Sequence, residues 1–206
     1  MGDRQDLLNL KPRDLTFVRP SMDLEHCSDQ LSEVGGLFVS CQDATNCAGL
    51  PLWPSNSFPI LTECLNLDMP ILATGCGIYF LNEYFGGKKP VVCSHSLRST
   101  DEKLENRQIY LSPGSKSAAT VGSGGFFRVR SKHMIGLYEN QRAPRLLASA
   151  YSVEEGLVEG LESTEHSWVL GFQANIEICT EAPRTFNNVL MAFFERVHNF
   201  SVTESA

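Results

Sequence analysis

The sequence lacks several features that would assign it to common classes of protein. Its 206 residues contain no run of about 20 apolar residues that could span a bilayer, and the polar residues 1–6 do not resemble a secretion signal. Its seven cysteines form no CxxC pair. We therefore expect reduced, buried thiols in a cytoplasmic protein, with neither a disulfide framework nor a zinc site.

Positive charge is also scarce. The chain has 17 Lys and Arg against 24 Asp and Glu, which gives a net charge of −7. This charge disfavours nucleic acids and anionic membranes as partners. The glycine-rich residues 122–125 match neither GxGxxG nor a phosphate-binding P-loop, and we interpret them as a flexible turn. We expect no cofactor and no metal.

The stretch that organises the chain is residues 70–87, PILATGCGIYFLNEYFGG. Residues 69–73 form a short apolar run typical of a buried parallel strand. The small residues Thr74 to Gly77 allow a sharp turn, and apolar residues at helical spacing follow until Gly86 and Gly87 end the helix. A strand, a tight glycine turn and a helix are the geometry of a nucleophile elbow. An ordinary strand–loop–helix unit has the same pattern, so both interpretations stay open.

The rest of the pattern predicts one doubly wound, flavodoxin-like α/β domain. Its sheet is expected to be mostly parallel, with helices on both faces and an antiparallel-rich second half. The long loop at 41–59 follows a strand end and suggests a binding role. The predicted bounds are 1–14 for an N-terminal arm, 15–200 for the domain and 201–206 for a tail. Predicted strands lie at 15–19, 36–40, 90–93, 108–111, 126–129, 146–150, 157–160 and 168–172, and predicted helices at 22–33, 60–67 and 185–197.

Three segments together resemble the class I glutamine amidotransferase family, including its γ-glutamyl hydrolase branch. The family elbow reads P-[VIL]-L-G-I-C-x-G-x-Q-x-L-x-x-x-F-G-G, and its later strand ends in G-x-Q-x-H-P-E. Residues 128–133 are similar to the family strand that ends in Ser-x-His, and residues 147–160 to its following strand pair. The matching residues are Pro70, Leu72, Gly77, Leu81, Phe85, Gly86, Gly87, Gly171, Gln173 and Glu177.

The departures from the family pattern fall on the catalytic positions. The resemblance places the nucleophilic cysteine at Gly75 and the catalytic histidine at Asn175, and only Glu177 of the acid–base pair is kept. Residues 39–43 replace the glycine-rich loop of the oxyanion hole. Amide hydrolysis by this route needs a thiolate and an imidazole, and asparagine cannot titrate near neutral pH. The resemblance therefore implies a pseudoenzyme with no working catalytic residues.

Cys76 provides an alternative. It lies one residue after the expected nucleophile, and a one-residue slip of the alignment would put its sulfur at the elbow tip. The missing imidazole would then have to be recruited from His133, His95 or His166. This alternative is a cysteine-dependent amide hydrolase or glutaminase acting on a γ-glutamyl substrate. A small buried thiol at a helix start is the simpler interpretation of Cys76.

We predict a non-catalytic amidotransferase-like protein that acts by binding a protein partner or a small γ-glutamyl-like ligand. A weaker alternative is a noncatalytic subunit that holds a separate synthetase or transferase. Oligomerisation is left open. The predicted ligand-binding residues lie at the strand ends and the elbow: Ser40, Cys41, Gln42, Cys76, Gly77, Ser131, His133 and Gln173.

Overall fold

The computed structural model describes residues 12, 15–17, 31, 34–41, 57–93, 105–131, 135–178 and 180–200. The strands are β1 Leu37–Cys41, β2 Ile71–Gly75, β3 Val91–Val92, β4 Glu105–Leu111, β5 Gly125–Ser131, β6 Ile135–Gly136, β7 Leu146–Ser152, β8 Val158–Ser163 and β9 Val169–Phe172. The α-helices are α1 Ser57–Asn66, α2 Gly77–Tyr84, α3 Lys116–Val121 and α4 Asn187–Asn199. Two short 3₁₀ helices cover Glu139–Gln141 and Arg184–Phe186.

Seven of these strands form one mixed sheet in the order β1-β2-β9-β8-β7-β4-β5. β2 pairs in parallel with β1 on one side and with β9 on the other. From β9 through β5 every neighbouring pair is antiparallel. The α/β fold class and the antiparallel-rich second half are therefore confirmed, and β3 pairs with β6 in a separate two-stranded sheet.

β2 is the buried parallel strand that the sequence predicts. All five of its residues are buried, and it lies between two other strands of the sheet. A strand buried on both faces gains most from a continuous apolar run, which Ile71, Leu72 and Ala73 supply. The prediction of a central strand at 70–73 with the glycine turn at its carboxyl end is confirmed.

Helices cover the sheet on both faces, and each face has its own apolar cluster. Ile71 and Ala73 of β2 belong to the cluster that contains α1 and α2 residues, whereas Leu72 belongs to the cluster with α4. This alternation follows from the two-residue repeat of a strand. The largest fully buried side chains include Phe172, Phe186 and Phe194, which lie on the α4 side.

Some predicted bounds need correction. α3 was not predicted, because its six residues KSAATV show no apolar stripe. α1 begins at Ser57, inside the predicted loop at 41–59. β4 begins at Glu105, three residues before the strand predicted at 108–111. Residues 15–17, which begin a predicted strand, have no strand structure.

Other predictions lie outside the described residues. These are almost all of the helix predicted at 22–33, residues 42–56 of the loop predicted at 41–59, the tail at 201–206 and almost all of the arm at 1–14. The domain bounds therefore stay a prediction. Within the described part of the chain, no helix is both long and apolar enough to cross a membrane.

Candidate functional site at the elbow

The turn between β2 and α2 has the geometry of an elbow. Gly75 ends β2 with φ of +56°, a left-handed conformation that glycine adopts without a steric penalty. Gly77 then starts α2, and a Cβ atom at this position would lie 2.4 Å from the carbonyl oxygen of Val39. The first turn of α2 therefore packs directly on the backbone of β1. Gly75 itself pairs with Cys41 across the β1–β2 register, so both residues lie at the carboxyl edge of the parallel strands.

Cys76 differs from the expectation of reduced thiols. It is the N-cap residue of α2 and is buried, with 8% exposure, and it is disulfide-bonded. Cys64 and Cys93 are free and buried, as the sequence predicts. A sulfur held in a disulfide is not a thiolate, so Cys76 needs reduction before it can act as a nucleophile.

The Glu177 side chain bridges the carboxyl ends of β1 and β2. Its Oε1 accepts hydrogen bonds from Ser40 Oγ at 2.7 Å and from Thr74 Oγ1 at 3.0 Å. The carboxyl group thus reaches from the segment after β9 across the end of β2 to β1. Burial raises its pKa above the usual value, although the two hydroxyl donors oppose the shift. Its Oε2 is buried and has no hydrogen-bond partner among the described residues.

Asn175 is turned to a different partner. Its Nδ2 donates to Glu181 Oε2 at 3.0 Å, and the backbone carbonyl of Glu181 accepts from the Arg130 amide at 2.6 Å. Positions 175 and 177, which would form a histidine–glutamate pair in the family, therefore bind different residues in this chain. Glu177 binds the ends of β1 and β2, whereas Asn175 is tied through Glu181 to β5.

Gln173 joins the site to the small β3–β6 sheet. Its Nε2 donates to the Ile135 carbonyl at 3.3 Å, and Tyr79 of α2 donates its hydroxyl to the same carbonyl at 2.7 Å. Burial raises the pKa of Tyr79 well above its usual value, with neighbouring Cys93 adding to the effect. Tyr79 is therefore a neutral, buried donor at physiological pH. Gln173 Oε1 is buried and has no partner within the described chain.

The structure brings together only some of the predicted site residues. Ser40, Cys76, Gly77 and Gln173 surround the elbow through the contacts given above. The side chains of Cys41 and Ser131 are not described, although their strand positions are, and Gln42, His95 and His133 lie outside the described residues.

His166 does not lie at the elbow. It lies in the turn between β8 and β9, where the next residue, Ser167, donates its amide to Asp68 just before β2. This turn is at the amino end of β2 and β9, the opposite end of the sheet from Gly75. His166 is therefore too far from Cys76 to act as its recruited base.

Three site residues were missed from the sequence: Thr74, Tyr79 and Glu181. Thr74 carried a detectable signal, because it is a hydroxyl residue at the end of a strand whose other members are apolar or glycine. Tyr79 looks like one more apolar residue of an amphipathic helix, and Glu181 is placed only by the path of the loop. Among the described residues, no cluster of three or more His, Cys, Asp or Glu is placed to hold a metal ion.

The comparisons with known proteins agree with this geometry. The family model for Peptidase C26 matches residues 55–175, more than half of the chain. The chain therefore belongs to this family, which is class I glutamine amidotransferase-like. No curated protein sequence gives a significant match.

Several solved structures share the fold at low sequence identity. The glutaminase domain of Trypanosoma brucei CTPS with bound acivicin is 12% identical at a TM-score of 0.68, covering 97% of this chain and 86% of its own. A putative GMP synthase subunit from Thermoplasma acidophilum is 14% identical at a TM-score of 0.64, covering 94% and 85%. A glutamine amidotransferase from Methylobacillus flagellatus is 11% identical at a TM-score of 0.59, covering 84% and 80%. At these identities the likeness shows the fold alone.

Proposed function

We propose that this chain is a non-catalytic member of its family that acts by binding a ligand or a partner protein at the elbow. The observation that carries the proposal is the contact pattern of Glu177. Its carboxyl group is engaged by Ser40 and Thr74, while residue 175 is an asparagine bound to Glu181. With glycine at position 75, neither a nucleophile nor a histidine–carboxylate pair is present at the family positions.

Buried oxygens without a partner among the described residues indicate the chemistry of a ligand, and at this site they are Glu177 Oε2, Gln173 Oε1 and Asn175 Oδ1. Glu177 Oε2 and Gln173 Oε1 both belong to residues more than nine-tenths buried. Gln173 Oε1 is an acceptor, and Glu177 Oε2 is an acceptor whenever the carboxyl group is ionised. A buried acceptor without a donor is costly, so a ligand that offers N–H groups would stabilise the site. The side-chain amide of a γ-glutamyl compound offers such N–H groups.

Two structural relatives support the alternative of a protein partner. One is named as a synthase subunit and the other as a glutaminase domain, and a subunit or a domain is by definition part of something larger. A chain with the same fold and no catalytic pair could keep the contact to such a partner. The cytoplasmic location expected from the sequence stays a proposal, and the disulfide at Cys76 weighs against it, because disulfides are rare in a reducing compartment. Cell fractionation tests the location.

The decisive experiment is ammonia release from glutamine and from γ-glutamyl amides. We expect no turnover above background by the wild-type chain, either with or without a thiol reductant. The reductant arm is needed because Cys76 is disulfide-bonded and becomes a thiolate only after reduction. Turnover that appears on reduction and disappears in Cys76→Ala would overturn the proposal and establish the hydrolase alternative.

Ligand chemistry is tested by thermal shift with a matched pair of compounds. L-glutamine carries N–H donors on its side-chain amide, whereas the γ-methyl ester of glutamate has a similar shape and no donor there. We expect glutamine to raise the melting temperature and the ester to have no effect. Equal shifts with both compounds would show that the buried oxygens of Glu177 and Gln173 do not select the ligand.

A further inference from the structure

The edge strand β5 carries a surface that the elbow does not use. β5 is the last strand of the seven-stranded sheet, and β4 is its only partner among the described strands. Val129 is buried in the α4-side cluster, and Phe127 packs against the same cluster. The alternate residues Phe126, Arg128 and Arg130 therefore face the other side, where all three are exposed.

Aromatic and basic groups are adjacent on this face. Phe126 is 64% exposed and lies opposite Tyr110 of β4, with the ring centroids 5.1 Å apart. Arg128 and Arg130 follow on the same face, opposite Gln108 and Asn106. We call these six residues the β4–β5 face. It has two positive charges and no negative charge, in a chain whose net charge is −7.

Neither guanidinium on the β4–β5 face is paired within the described residues. Arg128 and Arg130 form no ion pair there, although three other arginines of the described chain do. Charged side chains are a common protection of sheet edges, whereas an aromatic side chain that is 64% exposed is not. Such edges are normally protected, because they can pair with other chains.

The outer backbone edge of β5 is covered at one position. The Arg130 amide points away from β4 and donates to the carbonyl of Glu181, which lies in a turn. By the two-residue repeat of a strand, the Phe126 and Arg128 amides point the same way. No described residue bonds to either of them on that side. Among the described residues, this edge is therefore closed at Arg130 and open at Phe126 and Arg128.

We propose that the outer edge of β5 binds an extended acidic segment of a partner protein by strand addition. Backbone bonds to Phe126 and Arg128 would hold the segment, and its carboxylates would pair with Arg128 and Arg130. An apolar side chain two residues away would pack on the Phe126–Tyr110 pair. Backbone pairing with alternating side-chain contacts is an established mode of peptide recognition.

Electrostatics favours an acidic segment over two other possible occupants of this edge, a second copy of the chain and a nucleic acid. A second copy pairing symmetrically about Arg128 would oppose two like charges, and Glu181 already covers the edge at Arg130. A nucleic acid would meet two arginines on a chain of net charge −7, which gives little counterion release. An acidic peptide also meets the net charge of −7. It needs only two carboxylates to match the two arginines, however, and it can bond to the open backbone edge, which a nucleic acid cannot do by strand pairing.

The first test is a selection of displayed random nine-residue peptides on the full-length protein. A parallel selection uses Arg128→Glu as the target. We expect wild type to enrich peptides with acidic residues at alternate positions beside an apolar residue, and Arg128→Glu not to enrich them. Failure to enrich acidic peptides, or equal enrichment on Arg128→Glu, would overturn the proposal.

A synthetic copy of the enriched peptide then locates the site. Its affinity should fall by about tenfold or more in Arg128→Glu, and should weaken as salt is raised. Lys89→Glu is the matched control, because Lys89 is exposed and belongs to neither β4 nor β5, so the same charge change there should leave the affinity unchanged. Circular dichroism confirms that both variants are folded.

Amide exchange distinguishes strand addition from a surface contact. Bound peptide should slow hydrogen exchange at the Phe126 and Arg128 amides. Contact through side chains alone would leave both amides unprotected, and this result would overturn the strand-addition geometry. Tight binding of a 12-residue oligouridine at Arg128, or a peptide-free dimer that dissociates in Arg128→Glu, would assign the face to the other occupants. Glu177→Gln should not change peptide affinity, so this test stands or fails apart from the elbow.

Discussion

Glu177 shows how one retained family residue can take a new role. In this chain the carboxyl group accepts two hydroxyl donors and is buried near the ends of β1 and β2. Its Oε1 therefore connects the ends of the two strands, and its Oε2 is the oxygen that the proposed ligand would contact. Ser40, Thr74 and Glu177 were each visible in the sequence, but their contact was not, because Glu177 is more than 100 residues from either hydroxyl residue along the chain.

The raised pKa of Glu177 gives a pH-dependent prediction. Because the folded pKa lies above the unfolded value, folding favours the protonated acid. That contribution is complete below the unfolded pKa and is lost as pH rises through the folded pKa. Glutamine cannot ionise, so wild type should lose stability relative to Glu177→Gln as the pH rises above about 4.

Thermal melts of both proteins across this pH range measure the effect. A difference of about 1 kcal/mol would separate the melting temperatures by roughly 2–4 °C in a domain of this size. The exposed Glu83→Gln variant is the control and should follow wild type. A constant offset between wild type and Glu177→Gln at every pH would show that Glu177 does not titrate differently in the folded state.

Restoring the two catalytic side chains should produce at most feeble hydrolysis. Gly75→Cys with Asn175→His supplies a thiol and an imidazole, but Glu177 is held by Ser40 and Thr74 and is not free to orient the imidazole. The φ of +56° at Gly75 adds a cost of roughly 1–2 kcal/mol for a residue with a Cβ. A lost oxyanion donor costs a further factor of about 10²–10³ in rate.

The measurement is single-turnover acylation by a γ-glutamyl thioester, together with steady-state ammonia release. Asn175→His alone lacks the new cysteine, so it is the control that shows whether any turnover depends on the thiol at position 75. Family-like turnover from the double variant would mean that the loop after β1 still supplies its oxyanion donor, and that catalysis was lost at two side chains only.

At the scale of the element, α2 is fixed by close backbone approach. Alanine is ordinarily better than glycine in a helix by about 0.5–1 kcal/mol. Gly77→Ala should nevertheless destabilise the protein by about 1–3 kcal/mol, because the new Cβ would lie 2.4 Å from the Val39 carbonyl oxygen. Urea denaturation of Gly77→Ala against Glu83→Ala, an exposed site in the same helix, tests this. A stabilised Gly77→Ala would show that α2 can move away from β1.

α3 shows why an element can escape prediction. The helix has six residues and depends on the tertiary structure for its start. Glu162 of β8 accepts the backbone amides of Lys116 and Ser117, and Ser115 caps the Ala118 amide. Only the Ser115 cap is local in sequence. A short helix whose first turn is completed by a carboxylate 45 residues away leaves no periodic signal.

At the scale of the whole molecule, the two apolar clusters share one sheet. β2 contributes Ile71 and Ala73 to one cluster and Leu72 to the other. Loss of packing in one cluster would therefore also weaken the strand against which the other cluster packs. This arrangement predicts a single cooperative unfolding transition. Tryptophan fluorescence, which includes the buried Trp168, and far-ultraviolet circular dichroism should give coincident urea curves. Separate transitions would contradict the predicted single domain at 15–200.

The sequence by itself determined the local elements and the residue types at the family's catalytic positions. Apolar runs such as residues 69–73 and the glycine turn after them are short-range signals, because burial and backbone freedom act residue by residue. The absence of a cysteine at 75 and a histidine at 175 needs no structure. Only the tertiary structure decided where Glu177, Asn175 and His166 lie relative to the elbow. Their contacts depend on strand order and on the path of the loop after β9, which join residues distant in sequence, and no local pattern encodes such pairings.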